Sequence, residues 1–123
     1  MSDGNVPADN VRLKRAYAPE EPSDGQRILV DRLWPRGVSK ARADLADWMK
    51  DLAPSTELRE WFGHDPVRWE EFARRYRAEL AQHPEAVEQL RDLARKGPVT
   101  LIYGARDQEH NEAVVLRDVL LGT

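Results

Sequence analysis

Two almost uninterrupted apolar runs, Ile28-Leu29-Val30 and Val99-Thr100-Leu101-Ile102-Tyr103, constrain this chain more than any other feature. A half-exposed strand alternates apolar and polar residues, whereas a strand covered on both faces reads as a continuous run, so both segments are expected in a parallel sheet with cover on each side. Each run breaks at its carboxyl end into a charged segment: Asp31-Arg32-Leu33-Trp34-Pro35-Arg36-Gly37 after the first, Gly104-Ala105-Arg106-Asp107 after the second. Ligands of open parallel sheets bind outside the carboxyl ends of the strands. If the two strands are neighbours, Arg32, Arg36 and Arg106 converge there.

The remaining segments fit around these two strands. Residues 1–10 are polar with little to bury and are expected to form a disordered tail, leaving residues 11–123 as a single domain. Residues 11–17 alternate and predict a first strand, and residues 27–33 a second, stopped by Pro35 and Gly37. From the cap Ser39, the spacing of Leu45, Trp48, Met49 and Leu52 predicts one helix face ending at Pro54. Ser55 is positioned to cap a short helix through Leu58, Trp61 and Phe62 that Gly63 closes. Asp65-Pro66 is the clearest helix start, and Trp69, Phe72, Ala73, Tyr76 and Leu80 then form one apolar stripe. Another helix is expected over 84–95, an exit at Lys96-Gly97-Pro98, and a last helix over 109–121. Several helices between the second and third strong strands leave room for a right-handed crossover. The expectation is an α/β fold: one small layered domain with a short, mainly parallel sheet flanked by helices.

Bulk properties narrow the function classes. A chain of 123 residues is long enough for one core without staples. The absence of cysteine excludes disulfides, thiolate nucleophiles and cysteine-held metal or clusters. No run approaches the roughly 20 apolar residues of a membrane span and the polar start lacks a signal-peptide core, so a cytoplasmic location without membrane contact is expected. A net charge of -3 argues against general nucleic-acid binding.

Within the first charged segment, Arg32 and Arg36 flank Trp34 if the extended backbone persists past the apolar run, giving two guanidinium forks and a stacking face. In the second, Gly104 and Ala105 let a ligand approach the backbone, and the amino end of the following helix suits an anion. Asp31 and Asp107 are candidates to position or deprotonate, and His110 to transfer a proton. The candidate ligand-binding residues are Arg32, Trp34, Arg36, Tyr103, Arg106 and Asn111. His64, His83 and His110 lack metal-ligand spacing, so no metal is expected, and no phosphate loop or GxGxxG implies a cofactor. His64 reads as helping to close the helix before Asp65-Pro66. Arg74, Arg75 and Arg77 read as a solvated face.

Asp31-Arg32-Leu33-Trp34-Pro35-Arg36-Gly37, Leu52-Ala53-Pro54-Ser55 with Leu58-Arg59 and Trp61-Phe62, Trp69 with Phe72 and Tyr76, and Thr100-Leu101-Ile102-Tyr103 followed by His110-Asn111 occur in order along nearly the whole chain. Together they resemble the YeaO-like branch of domain-of-unknown-function family 488. The resemblance implies a small cytosolic bacterial α/β domain without an established activity to transfer. Longer members carry cysteines around the last strand and helix, where this chain has Gly104 and His110-Asn111, so thiol chemistry cannot operate here. The leading functional expectation is a pocket for a small anionic molecule, bearing a phosphate or carboxylate, at the carboxyl ends of the strands. The alternative is a non-enzymatic regulatory or interaction domain that binds an acidic partner or nucleic acid.

Overall fold

The computed structural model describes residues 6–123. Strands β1 (Val11–Arg15), β2 (Gln26–Leu29), β3 (Asp47–Trp48) and β4 (Val99–Tyr103) make one parallel sheet in the order β1-β4-β2-β3. The last strand thus lies between the first two, with Leu13 and Ile28 both opposite Leu101. All five β4 residues are buried, which is why its sequence shows no alternation.

The helices are α1 (Lys40–Ala43), α2 (Thr56–Phe62), α3 (Trp69–Leu80), α4 (Pro84–Lys96) and α5 (Glu112–Leu121). Successive strand residues face opposite sides of the sheet. Ile28, Val30, Leu101 and Tyr103 join the larger core with Phe62, Phe72, Tyr76, Leu90 and Leu116. Leu29 and Ile102 face the other way, into a smaller core with Val38 and Ala43 that Trp34 and Trp48 partly cover. Next to this smaller core lies a buried polar knot. Arg27 donates through Nε to the Ala43 carbonyl at 2.7 Å and through Nη1 to Asp24 at 2.6 Å, while the Thr100 hydroxyl donates to the Asp24 carbonyl at 2.7 Å. Burial works against the Asp24 carboxylate, but Lys14, the Glu21 amide and Arg27 outweigh it and hold the group below the usual carboxylate range.

Three sequence expectations are corrected. The helix expected from Ser39 to Pro54 stops at Ala43, where Asp44 turns left-handed at φ 45°, and the chain then pairs Asp47 and Trp48 with Ile28 and Leu29. The helix-like spacing arose because Leu45 and Trp48 serve the smaller core while Met49 and Leu52 serve the larger one. The strand expected over 27–33 ends at Leu29, with only the Val30 amide still donating to Ile102, so the alternation assumed through Arg36 does not hold. The last helix begins at Glu112 rather than 109, because Asn111 accepts from the Val114 amide as its cap.

Of the expected tail, residues 1–5 lie outside the described residues. The part from Val6 onward is docked: Val6 packs against the larger core and Asn10 donates to the Ala94 carbonyl at 2.7 Å. Arg117 donates to the carbonyls of Val11 and Ala8 from the other side.

Gly25, at φ 63°, turns the chain into β2, and a Cβ there would stand 2.2 Å from the Pro98 carbonyl oxygen. That oxygen also accepts the Gln26 amide where β2 first meets β4. Gly25→Ala is therefore expected to destabilise the domain by about 2–4 kcal/mol in urea unfolding, from backbone strain and displacement of the first β2–β4 bond. A loss below 0.5 kcal/mol, to a rough approximation, would mean that this junction yields freely.

Candidate functional site

A cleft of about 150 Å³ opens at the carboxyl ends of β2 and β4. The chain leaving β2 supplies Asp31, Arg32 and Leu33, and the chain leaving β4 supplies Gly104 and Ala105. Arg59 and Phe62 come from α2, Phe72 from α3, and Asn111 and Glu112 from the start of α5, with Pro54 and His64 completing the wall. Phe62 and Phe72 stack with ring centres 4.3 Å apart, so an aromatic wall stands beside the charged groups.

Asp31 joins the two strand ends. Its Oδ2 accepts the Gly104 amide at 2.8 Å, and a Cβ at Gly104 would come within 3.0 Å of that same oxygen. Glycine here lets the carboxylate reach the backbone. Burial pushes the Asp31 carboxyl from its ordinary 3.8 up to about 6, against the opposing pull of the Gly104 amide and the Arg59 charge.

The two guanidiniums differ in their bonding. Arg32 is held by the backbone of the segment before α2, donating to the Pro54 carbonyl at 2.9 Å and to Ala53 at 3.5 Å. The Arg59 guanidinium, exposed on α2, makes no hydrogen bond or ion pair to another described residue, although its charge reaches Asp31. His64 follows the α2 cap Gly63, and both residues are left-handed, at φ 58° and 53°. This confirms the expected helix closure at Gly63 and also puts His64 on the cleft wall. Glu112 is 9% exposed, and its Oε2 has no hydrogen-bond partner among the described residues.

Of the candidates read from sequence, Asp31, Arg32 and Asn111 line the cleft. The others do not. Trp34 donates to the Val38 carbonyl and packs edge-on against Trp48 over the smaller core. Arg36 and Arg106 are exposed outside the lining. Tyr103 is buried in the larger core, where burial pushes its phenol up. Asp107 accepts the amides of Glu109 and His110 and pairs with the His110 ring at 2.8 Å, while that ring lies edge-on to Trp69. The Glu109 amide and then His110 hold the Asp107 carboxyl below its usual range. These two residues shape the turn into α5. The amino end of α5 already carries the chain's own Asn111 cap and Glu112 side chain, a correction to the expectation that it lies open to an anion.

Sequence reasoning missed Arg59, Glu112 and His64 as cleft residues, along with the rings of Phe62 and Phe72. Arg59 and Phe62 lie inside motifs that carried the family resemblance, which is the one signal that pointed to them. On α3, Arg74 and Arg75 both bond to Glu71, holding its carboxyl down to about 2, and Arg75 also lies over the Trp61 ring at 4.4 Å. Those arginines are engaged by their own surface. Among the described residues no helix is long and apolar enough to cross a membrane, and no group of three His, Asp or Glu is arranged to hold a metal.

Because Asp31 binds its proton more tightly folded than unfolded, its contribution to stability is full below about pH 4 and is lost as pH rises to about 6. Tyr76, whose buried hydroxyl donates to the Leu52 carbonyl, feels the same carboxylate and is pushed up by burial and by that charge. Asp31→Asn keeps an acceptor for Gly104 and removes the charge. Its melting temperature is expected to match the parent near pH 4 and to exceed it at pH 8 by the equivalent of about 2 kcal/mol. Parallel pH profiles for the two proteins would show that the carboxylate is well solvated.

Comparison with known proteins places these features in a lineage. The family model described as "Inactive DUF488-N3 subclade" matches residues 10–123. The chain is 50% identical over 111 residues to "Uncharacterized protein YeaO" of Escherichia coli, covering 90% of this chain and 96% of that protein. It is 45% identical over 112 residues to "Uncharacterized protein Rv3073c" of Mycobacterium tuberculosis, covering 91% and 94% respectively. No solved structure gives a significant match. With a family model spanning nearly its whole length and half of the 111 aligned residues identical in YeaO, the chain belongs to the DUF488 family, in the N3 subclade described as inactive.

Proposed function

We propose that this domain is a binding module that holds a small carboxylate- or phosphate-bearing molecule in the cleft between the ends of β2 and β4 without converting it. The observation that carries the reading is Arg59, a guanidinium at the cleft with no ion pair or hydrogen bond to another described residue. A guanidinium offers five donors in a planar fork matched to carboxylate and phosphate oxygens. Arg32 stands on the same wall with Nε and Nη2 turned to backbone carbonyls, so Nη1 is left for a ligand. The description of the subclade as inactive supports binding without turnover. So does the position of the Asp107 and His110 pair outside the cleft lining, where an acid–base couple would act on the turn rather than on a ligand.

The test is a thermal-shift titration with inorganic phosphate, sugar phosphates, nucleoside monophosphates and short carboxylates. A ligand at one hundred times its Kd stabilises the folded state by about 2.7 kcal/mol, a readily measured rise in melting temperature. Arg59→Gln is expected to abolish that rise, whereas Arg106→Gln keeps it. A rise that survives in Arg59→Gln, or no rise with any compound, overturns the reading. Chemical change of a bound compound, followed by NMR over hours, overturns the claim that it is held without conversion.

A further inference from the structure

Resting on that reading, we infer that the molecule held in the cleft is zwitterionic, with a protonated amine that pairs with Glu112 and Asp31 as well as an anionic group that meets Arg59. The lining carries two carboxylates and two guanidiniums, and they differ in depth. Arg59 is exposed, whereas Glu112 is more than nine-tenths buried, on the first residue of α5. One Glu112 oxygen is sealed without any hydrogen-bond partner among the described residues. A buried carboxylate oxygen without a donor carries the full cost of its lost hydration, and a charged donor is the partner that relieves this most.

Asp31 supplies a second acceptor. Its Oδ2 is taken by the Gly104 amide, and no bond from a described residue occupies Oδ1. A purely anionic ligand entering this cleft would face both carboxylates and lose much of what Arg59 supplies, since like charges in a poorly solvated site repel strongly. An amine at the deep end turns that repulsion into attraction. The position of Glu112 at the amino end of its own helix explains why a negative side chain is tolerated there, but not why an oxygen is left without a donor.

The experiment compares matched pairs of probes that differ only in the amine: glycine, β-alanine and 4-aminobutyrate against acetate, propionate and butyrate, and phosphoethanolamine against ethyl phosphate. Binding is followed by thermal shift and by isothermal titration at low salt. At least one amino compound is expected to bind about tenfold or more tightly than its amine-free partner. Glu112→Gln is expected to cancel that difference, and Asp31→Asn, which retains the Gly104 bond, to reduce it. If amine-free and amino compounds bind the parent equally, the zwitterion inference falls while the anion reading stands. If the amine advantage persists in both variants, the deep-end assignment is overturned. If no member of either series binds, both the inference and the anion reading fail.

Discussion

Strand β4 is paired along both edges and buried along its whole length, and the arrangement of the cleft depends on that placement. A parallel strand satisfied on both sides has no edge to expose, and its side chains supply both cores at once. Leu101 and Tyr103 anchor the helical layer, and Ile102 anchors the smaller core beneath Trp34 and Trp48. Inserting β4 beside β2 also places Gly104 next to Asp31, and the amide-to-carboxylate bond between them ties the two exits together at the floor of the cleft.

The packing and the cleft make opposite demands on the same residues. Arg27, Asp24 and Thr100 show how the fold handles buried polarity elsewhere: Asp24 is matched to Lys14 and Arg27, and its carboxyl is held low. In the cleft the matching among the described residues is incomplete, with Asp31 pushed up by burial, the Arg59 guanidinium unpaired and a Glu112 oxygen left without a donor. A buried nitrogen without a partner also occurs outside the cleft, at Arg27 Nη2, but in the cleft the perturbed carboxyl and the unpartnered groups gather in one concavity, which is the pattern behind the proposed binding role. The aromatic wall of Phe62 and Phe72 lowers the local dielectric and so sharpens each of these imbalances.

How far the sequence was legible depended on whether local pattern and tertiary demand agreed. Caps and stops were readable because their physics is local: Ser55 accepts from Leu58, Asp65 accepts from Val67, and Gly63 takes the left-handed conformation that ends α2. The segment after Ser39 misled because apolar spacing records that residues are buried and not which core buries them. The extended geometry assumed through Arg36 failed for a related reason. Once the chain turns away beyond β2, alternation no longer says which side a residue takes, and Trp34 and Arg36 lie outside the cleft while Asp31, Arg32 and Leu33 all line it.

By itself the sequence determined the two covered strands, the helical crossover between them, the location of the cleft at their carboxyl ends, and Asp31, Arg32 and Asn111 as part of its wall. Those features follow from continuous apolar runs and from what lies directly next to them in the chain. Only the tertiary structure decided that Arg59, His64 and Glu112 complete the site, because they reach it from α2, the turn after it and the start of α5. Their convergence is set by how helices pack on the sheet, and no local pattern encodes that distance. The same packing decided the electrostatic character of the cleft: burial, which is a property of the whole assembly, raises Asp31 and leaves one Glu112 oxygen without a partner among the described residues, while Arg59 stays exposed to solvent at the rim.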